Sequence, residues 1–124
     1  MPSHRFNKKQ RLLSASDYKE VFDHNNVKIS NSSLLILAKP SSGDHSRLGL
    51  VIAKKNIPTA VQRNRVKRVV RETFRHQEFT VAMDIVFLAR NRANQLSTQQ
   101  LTQLLSTAWV DFDAKCVPLR LNHA

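Results

Sequence analysis

The chain has 124 residues, enough for one hydrophobic core and too few for two, so we predict a single domain over residues 1–124. Its one cysteine, Cys116, excludes an intrachain disulfide and suits the reducing cytoplasm. No apolar run approaches the ~20 residues of a membrane span, and no apolar segment follows the charged amino terminus as in a secretory signal. The formal net charge of +11 and the pI near 10.7 instead favour a polyanionic partner.

The first half of the chain predicts a basic extended arm, a helix and two strands. The arm covers residues 1–13. Ser14 or Ser16 can cap a helix that ends near residue 24, and Ser14 with Asp17 resembles a capping box. Strands are predicted over about 33–39 and 47–54, with a turn or hairpin loop between them. Both faces of the second strand are apolar, which is typical of a central strand.

The second half predicts two helices separated by a strand. Thr59 can cap a helix that ends near residue 76, and a strand follows over about 82–90. Ser97 with Gln100 makes a second capping box, after which leucines and aromatics recur at helical spacing to residue 112. We expect a flexible tail over 114–124.

The resulting order of elements is helix, strand, strand, helix, strand, helix. This order predicts an α+β fold, an α/β sandwich around one small mixed sheet of about four strands.

Residues 63–75 form the most informative stretch, because a helix with 100° per residue separates their apolar and charged side chains. The apolar face carries Val66, Val69, Val70, Thr73 and Phe74. The opposite face carries Asn64, Lys67, Arg68, Arg71 and Arg75. Cations at i,i+3 and i,i+4 repel each other, so a polyanion is the expected partner of the second face. A solvated basic helix without a partner is the alternative.

The cations are gathered in blocks. Nine of the 20 Lys and Arg lie between Arg47 and Arg75 with one acid, Glu72, and four more lie in the first eleven residues. Such clustering favours nucleic acid. A membrane surface also attracts basic segments, but the valine-rich apolar face of the helix fits a protein core better than a bilayer. We therefore expect no membrane partner.

No residue pattern indicates an active site within the chain. The nine carboxylates are scattered along the sequence, the five histidines lack zinc-ligand spacing, and two glycines cannot build a phosphate-binding loop. We predict no catalytic residue and no metal ligand in this chain.

Tyr18 and Phe22 lie one turn apart on the first predicted helix. Aromatic residues at this spacing usually belong to the core. They can also form a platform on which single-stranded bases stack. Periodicity alone leaves both interpretations open.

The central motif resembles the family of bacterial ribonuclease P protein components. A glycine-bearing strand that ends in Lys54 and Lys55 is followed, about ten residues on, by Arg63-Asn64-Arg65 and then Lys67-Arg68. Residues 17–22 and 83–90 resemble the first helix and last strand of that family, and the likeness covers most of residues 5–112.

The resemblance implies a fold and a division of labour. In this family a left-handed crossover containing the Arg-Asn-Arg helix joins parallel strands, although right-handed crossovers are the rule elsewhere. The protein binds catalytic RNA and the 5′ leader of precursor tRNA. The RNA carries the hydrolytic chemistry with Mg²⁺ that is bound mainly by the RNA. The chain is thus expected to be a cytoplasmic subunit of a tRNA-processing endoribonuclease that binds no DNA.

The resemblance also assigns residues to the two RNAs. The leader would be bound by Tyr18, Phe22, Lys54, Lys55 and Arg11. The catalytic RNA would be bound by Arg63, Asn64, Arg65, Lys67, Arg68, Arg71 and Arg75.

Two departures from the family pattern are visible. The first strand is aliphatic over 34–37, where some members carry an aromatic residue facing the leader. Residues 56–59, including Pro58, replace a loop that contains glycine in many members.

Two rival functions remain, a small ribosomal RNA-binding protein and a nuclease that acts without RNA.

Overall fold

The computed structural model describes residues 10–12 and 14–122, with the side chains of these residues up to 119. Within this part of the chain, three α-helices and one short 3₁₀ helix accompany a four-stranded sheet. In chain order the elements are α1 (Ala15–His24), β1 (Val27–Ser30), β2 (Leu34–Pro40), β3 (Arg47–Val51), α2 (Ala60–His76), β4 (Met83–Ala89), the 3₁₀ helix (Asn91–Gln95) and α3 (Thr98–Asn122). The predicted α+β fold is confirmed.

The sheet is mixed, and its strands lie in the order β1-β2-β4-β3. β2 pairs antiparallel with both β1 and β4, whereas β3 pairs parallel with β4. The connection between the two parallel strands runs through α2, so this helix is the crossover. The handedness of the crossover stays a prediction of the family resemblance.

Local sequence signals fix the starts of all three α-helices. Ser14 and Asp17 form the predicted capping box, with reciprocal amide-to-side-chain bonds of 3.1 and 3.3 Å. Ser97 and Gln100 do the same before α3, at 3.0 and 2.9 Å. The side chain of Thr59 accepts an amide N–H from the first turn of α2. These bonds satisfy amides that a helix start leaves without partners.

α2 and α3 cover one face of the sheet and enclose the main core. An aromatic cluster lies within it, formed by Phe74, Phe79, Trp109 and Phe112 with ring centroids 5.1–6.0 Å apart. The indole of Trp109 donates to the hydroxyl of Thr73 on α2 at 3.0 Å. This bond satisfies the one polar atom of a fully buried Trp and joins α3 to α2.

α1 covers the opposite face of the sheet. Its fully buried Val21 packs in a second, smaller cluster with Leu12, Leu37 and Val86. The alternation of side chains along β2 and β4 therefore buries both faces of the sheet. Within the described residues, no helix is both long and apolar enough to cross a bilayer.

The position of β3 corrects the sequence prediction. β3 is an edge strand, not a central one, and the loop before it joins β2 to a strand that is not its neighbour. Its outer edge is covered by the arm, since the amide of Leu12 donates to the carbonyl of Leu48 at 3.2 Å. Residues 1–9 and 13 of the predicted arm lie outside the described residues.

β1 is missing from the predicted order of elements. It has four residues, in which the more buried Val27 and Ile29 alternate with the exposed Lys28 and Ser30. That period of two is a strand signal, but it is too short to stand out from a loop.

α3 is longer than predicted, because it continues to Asn122 through most of the expected tail at 114–124. Cys116 is fully buried and Leu119 packs against the main core, so the apolar face of the helix extends beyond Phe112. Burial raises the pKa of the Cys116 thiol to about 12.

A single arginine ties α1, β3 and β4 together. Arg47 donates two hydrogen bonds to the carboxylate of Asp84, from Nε at 2.9 Å and from Nη2 at 2.8 Å. Its guanidinium also lies 3.7 Å from Asp17 in the first turn of α1. The hydrogen bond to Asp84 raises the pKa of Arg47. A bidentate pair of this kind fixes orientation as well as distance.

We predict that Asp84→Asn lowers the free energy of unfolding by about 2 kcal/mol, because it leaves the guanidinium of Arg47 with an imperfect partner at a site that is mostly shielded from water. The side chain of Asp84 is 11% exposed. Urea unfolding measures the loss, and Asp44→Asn is the matched control because that side chain is 90% exposed. Equal losses for the two variants would contradict a structural role for the pair.

Candidate nucleic-acid interface

The outward side of α2 forms an open groove with a volume of about 390 Å³. We call it the basic face. Its lining residues are Asn64, Lys67, Arg68, Arg71, Glu72 and Arg75. Opposite this face, Val66 and Val70 are fully buried, and Phe74 is nearly so. The predicted separation of core and cationic faces on this helix is confirmed.

Glu72 is the acid within the basic face, and sequence reasoning assigned it no role. Its carboxylate accepts a hydrogen bond from Arg75 and lies 3.4 Å from the ring nitrogen of His76. The bond from Arg75 lowers the pKa of Glu72 below its usual range. Glu72 therefore stays ionised at neutral pH and orients one guanidinium of the face.

Arg63 lies beside the basic face rather than on it. Its Nη1 donates to the carbonyls of Ile57 and Pro58, at 3.0 and 2.8 Å. Ile57 is fully buried, so this arginine holds the start of α2 against a loop that is itself anchored in the core.

Arg65 lies beside the basic face on the other side. Its Nε donates to Gln62 at 2.7 Å, and its Nη1 lies 3.5 Å from the hydroxyl of Thr98 at the start of α3. The two arginines of the Arg-Asn-Arg motif thus point away from each other. Of the three motif residues, Asn64 lines the groove. At 100° per residue, Arg63 and Arg65 lie one residue to either side of Asn64 and therefore outside the arc of the basic face.

The arm brings a further cation to α2. Arg11 forms an isolated β-bridge with Leu48 on the outer edge of β3. Burial lowers the pKa of Arg71, and the nearby charge of Arg11 lowers it further. Tyr18 has the opposite effect and raises the pKa of Arg71. The charges of Arg11 and Arg71 therefore act on each other, and the bridge to Leu48 and the bond of Tyr18 to Leu50 place the arm and α1 along the same edge of β3. An anion near Arg11 and Arg71 would relieve the repulsion between the two guanidinium groups.

The two aromatic residues of α1 have different surroundings. Tyr18 is partly buried in the smaller cluster, and its hydroxyl accepts the amide N–H of Leu50 at 3.2 Å. Phe22 is 42% exposed.

Lys54 and Lys55 are exposed in the turn that follows β3. The neighbouring side chain of Asn56 donates to the carbonyl of Ala89 at 3.0 Å, and the amides of Asn56 and Ile57 both donate to the carbonyl of Ala53. The turn is therefore held at the end of the sheet, directly before α2.

Within residues 10–12 and 14–122, no three His, Cys, Asp or Glu side chains lie close enough to hold a metal ion. The described side chains thus present a cationic surface without a metal-binding set. Together, the fold and the site define a class of protein: a small α+β domain that displays a cationic face on one helix and a partly exposed aromatic residue on another.

Comparison with known proteins makes the assignment specific. The sequence model of the Ribonuclease P family matches residues 6–113. The chain is 44% identical over 110 residues to the ribonuclease P protein component of Pseudomonas aeruginosa. The aligned region covers 88% of this chain and 82% of that protein. It is 43% identical over 110 residues to the protein of the same name from Chromohalobacter salexigens, with 88% and 86% covered. The chain belongs to the ribonuclease P protein family.

Solved structures agree with this assignment. The RNase P protein of Staphylococcus aureus superposes with a TM-score of 0.70 at 29% identity, over 76% of this chain and 86% of that one. The RNase P protein of Thermotoga maritima gives 0.64 at 28% identity, over 78% and 96%. Membership of the family gives the chain a role in tRNA 5′ processing, as a subunit of an endoribonuclease.

We predict that Arg68→Ala leaves the free energy of unfolding within about 0.5 kcal/mol of the parent, because this side chain is exposed on the basic face. Arg65→Ala should cost about 1 kcal/mol, because it removes the bonds to Gln62 and Thr98. Urea unfolding of both variants tests the contrast. A larger loss for Arg68→Ala than for Arg65→Ala would mean that the two arginines are wrongly placed.

Proposed function

We propose that this chain binds the catalytic RNA of ribonuclease P through the basic face of α2 and binds the 5′ leader of precursor tRNA beside α1. It would thereby assist the RNA-catalysed, Mg²⁺-dependent removal of the leader in the bacterial cytoplasm. The observation that carries the proposal is the basic face itself, which sets four cations along one side of a helix whose other side is buried.

The cations of the basic face suit folded RNA for a physical reason. Lys67, Arg68, Arg71 and Arg75 repel each other in the free protein, and each phosphate that approaches them replaces repulsion by attraction. Because contacts with phosphate carry no sequence information, this face would recognise the shape and charge of the RNA. Arg63 and Arg65, on either side of the face, would widen the same cationic surface while remaining bonded to the protein.

The leader would lie on the side of the sheet that α1 covers. The exposed ring of Phe22 offers a surface for an unpaired base. Arg11 at the junction with α2 would meet the leader backbone, and Lys54 and Lys55 would meet it in the turn after β3. The aliphatic side chains of β2 offer no further stacking surface on this side, since Leu35 and Leu37 pack in the smaller cluster.

Magnesium would be bound mainly by the RNA. The chain would act on the metal through its charge. By neutralising phosphates, the basic face would lower the repulsion between two folded RNAs. Less divalent cation would then be needed to hold them together.

We predict that the double variant Lys67→Ala/Arg68→Ala binds the catalytic RNA more weakly at every salt concentration tested. The plot of log affinity against log salt should become shallower by about 1.5, because two phosphate contacts at about 0.7–0.9 each are lost. Fluorescence anisotropy over a salt series measures both quantities.

The matched control is Lys28→Ala/Lys115→Ala, which removes the same charge from two exposed lysines near the β1 edge, where Lys115 Nζ donates to the carbonyl of Lys28. This control should change the slope much less. Equal changes in the two double variants would show that net charge, rather than the basic face, determines RNA binding.

We also predict that a 5′ leader tightens binding of tRNA to the reconstituted protein–RNA complex, and that Phe22→Leu reduces this gain without altering the affinity for mature tRNA. Binding titrations with precursor and mature tRNA test the prediction. If the complex bound both tRNAs equally, the rival function of a ribosomal RNA-binding protein would be favoured, because that function requires no leader site.

A further inference from the structure

Tyr18 occupies the outer edge of β3. β3 pairs with β4 along one edge only, so its other edge has backbone groups that need partners. The hydroxyl of Tyr18 accepts the amide N–H of Leu50 at 3.2 Å, two residues beyond the point where the arm pairs with Leu48. Tyr18 and the arm together therefore close this part of the edge.

Gly49 makes room for the ring of Tyr18. A Cβ atom at position 49 would lie 2.5 Å from Cε1, 2.6 Å from Cζ and 2.7 Å from the hydroxyl oxygen of Tyr18. These distances are far below carbon–carbon contact distances of about 3.5–4.0 Å. The ring thus lies where any other residue would place its side chain, and strand and ring fit only because position 49 is glycine.

Phe22, one turn further along α1, is not held in this way. It keeps 42% of its surface exposed. Val21, between the two aromatics in sequence, is fully buried and packs α1 against the sheet. α1 therefore carries one aromatic that is bound to β3 and one that faces solvent.

We propose that Tyr18 is a positioning residue rather than a stacking surface: it locks α1 onto β3 through Gly49 and Leu50 and so has a task separate from that of Phe22, whose ring the proposed function already assigns to a leader base. The assignment of Phe22 rests on the proposed function, whereas the lock stands on the geometry of the free protein. The lock would set where Phe22 lies relative to Arg11 and Arg71, and hence where a stacked base lies relative to its own phosphate.

A double-mutant cycle tests the lock without any RNA. Gly49→Ala should lower the urea midpoint of the full chain, because the new Cβ displaces the ring of Tyr18. In a Tyr18→Ala background the same change should cause little or no further loss, because the space is then empty. The coupling between the two positions is the expected result. An equal loss from Gly49→Ala in both backgrounds would overturn the lock.

Leader fluorescence tests the separation of tasks in the reconstituted complex. Precursor tRNAs would carry 2-aminopurine at each leader position in turn, and stacking on an aromatic ring quenches its fluorescence. We expect protein-dependent quenching at one leader position. Phe22→Leu should abolish this quenching and weaken the binding of precursor tRNA about tenfold. Phe22→Tyr, which keeps an aromatic ring, should retain the quenching. Tyr18→Phe, which keeps a ring but loses the bond to Leu50, should weaken quenching at that same position.

The remaining outcomes decide against one part or the other. A second quenched position that Tyr18→Leu removes and Phe22→Leu retains would overturn the separation, because Tyr18 would then stack with a base itself. No quenching at any position in the parent, together with equal affinity for precursor and mature tRNA, would overturn the proposed leader site and the role of Phe22. The double-mutant cycle at positions 18 and 49 would still decide whether Tyr18 locks α1 onto β3.

Discussion

The packing of α2 is the constraint on which the rest of the structure depends. Its basic face concentrates cations that repel each other, and each such i,i+4 pair destabilises a helix by about 0.2–0.5 kcal/mol. Its opposite face buries Val66, Val70 and Phe74, and burial of one such side chain contributes about 1.5–3 kcal/mol. The apolar contacts exceed the repulsion, so the sheet and α3 maintain a helix whose charges alone would disfavour it. An RNA-binding surface that is rigid before binding loses less conformational entropy on association.

β3 links the two surfaces that we assign to RNA. On one side, Tyr18 and Arg47 fasten α1 to this strand and to β4. On the other, the chain leaves β3 through the turn 53–57, whose buried Ile57 precedes α2. The side of the sheet that α1 covers, which we assign to the leader, and the basic face are therefore both attached to β3. Hydrogen bonds and packing, rather than a flexible linker, set their relative position.

Sequence reasoning succeeded where the determinants are local. Three helix starts, the two faces of α2 and the approximate bounds of β2, β3 and β4 all follow from patterns within about 20 residues. It failed where the determinants are distant in sequence. The edge position of β3 depends on pairing with β4 and on Tyr18, which lies 32 positions from its partner Leu50. Likewise, Arg65 contacts Thr98 on another helix, and no residue spacing within the Arg-Asn-Arg motif predicts that contact. The steric role of Gly49 is visible only when Tyr18 is placed above it.

In our proposal, this chain supplies counter-charge to an RNA that performs the hydrolysis. The most direct test is cleavage of precursor tRNA by the cognate catalytic RNA at a magnesium concentration too low for the RNA alone. We expect that the parent chain restores cleavage, that Lys67→Ala/Arg68→Ala restores much less, and that the chain without RNA cleaves nothing. Equal rescue by that variant, or robust cleavage by the protein alone, would contradict the role of the chain as counter-charge.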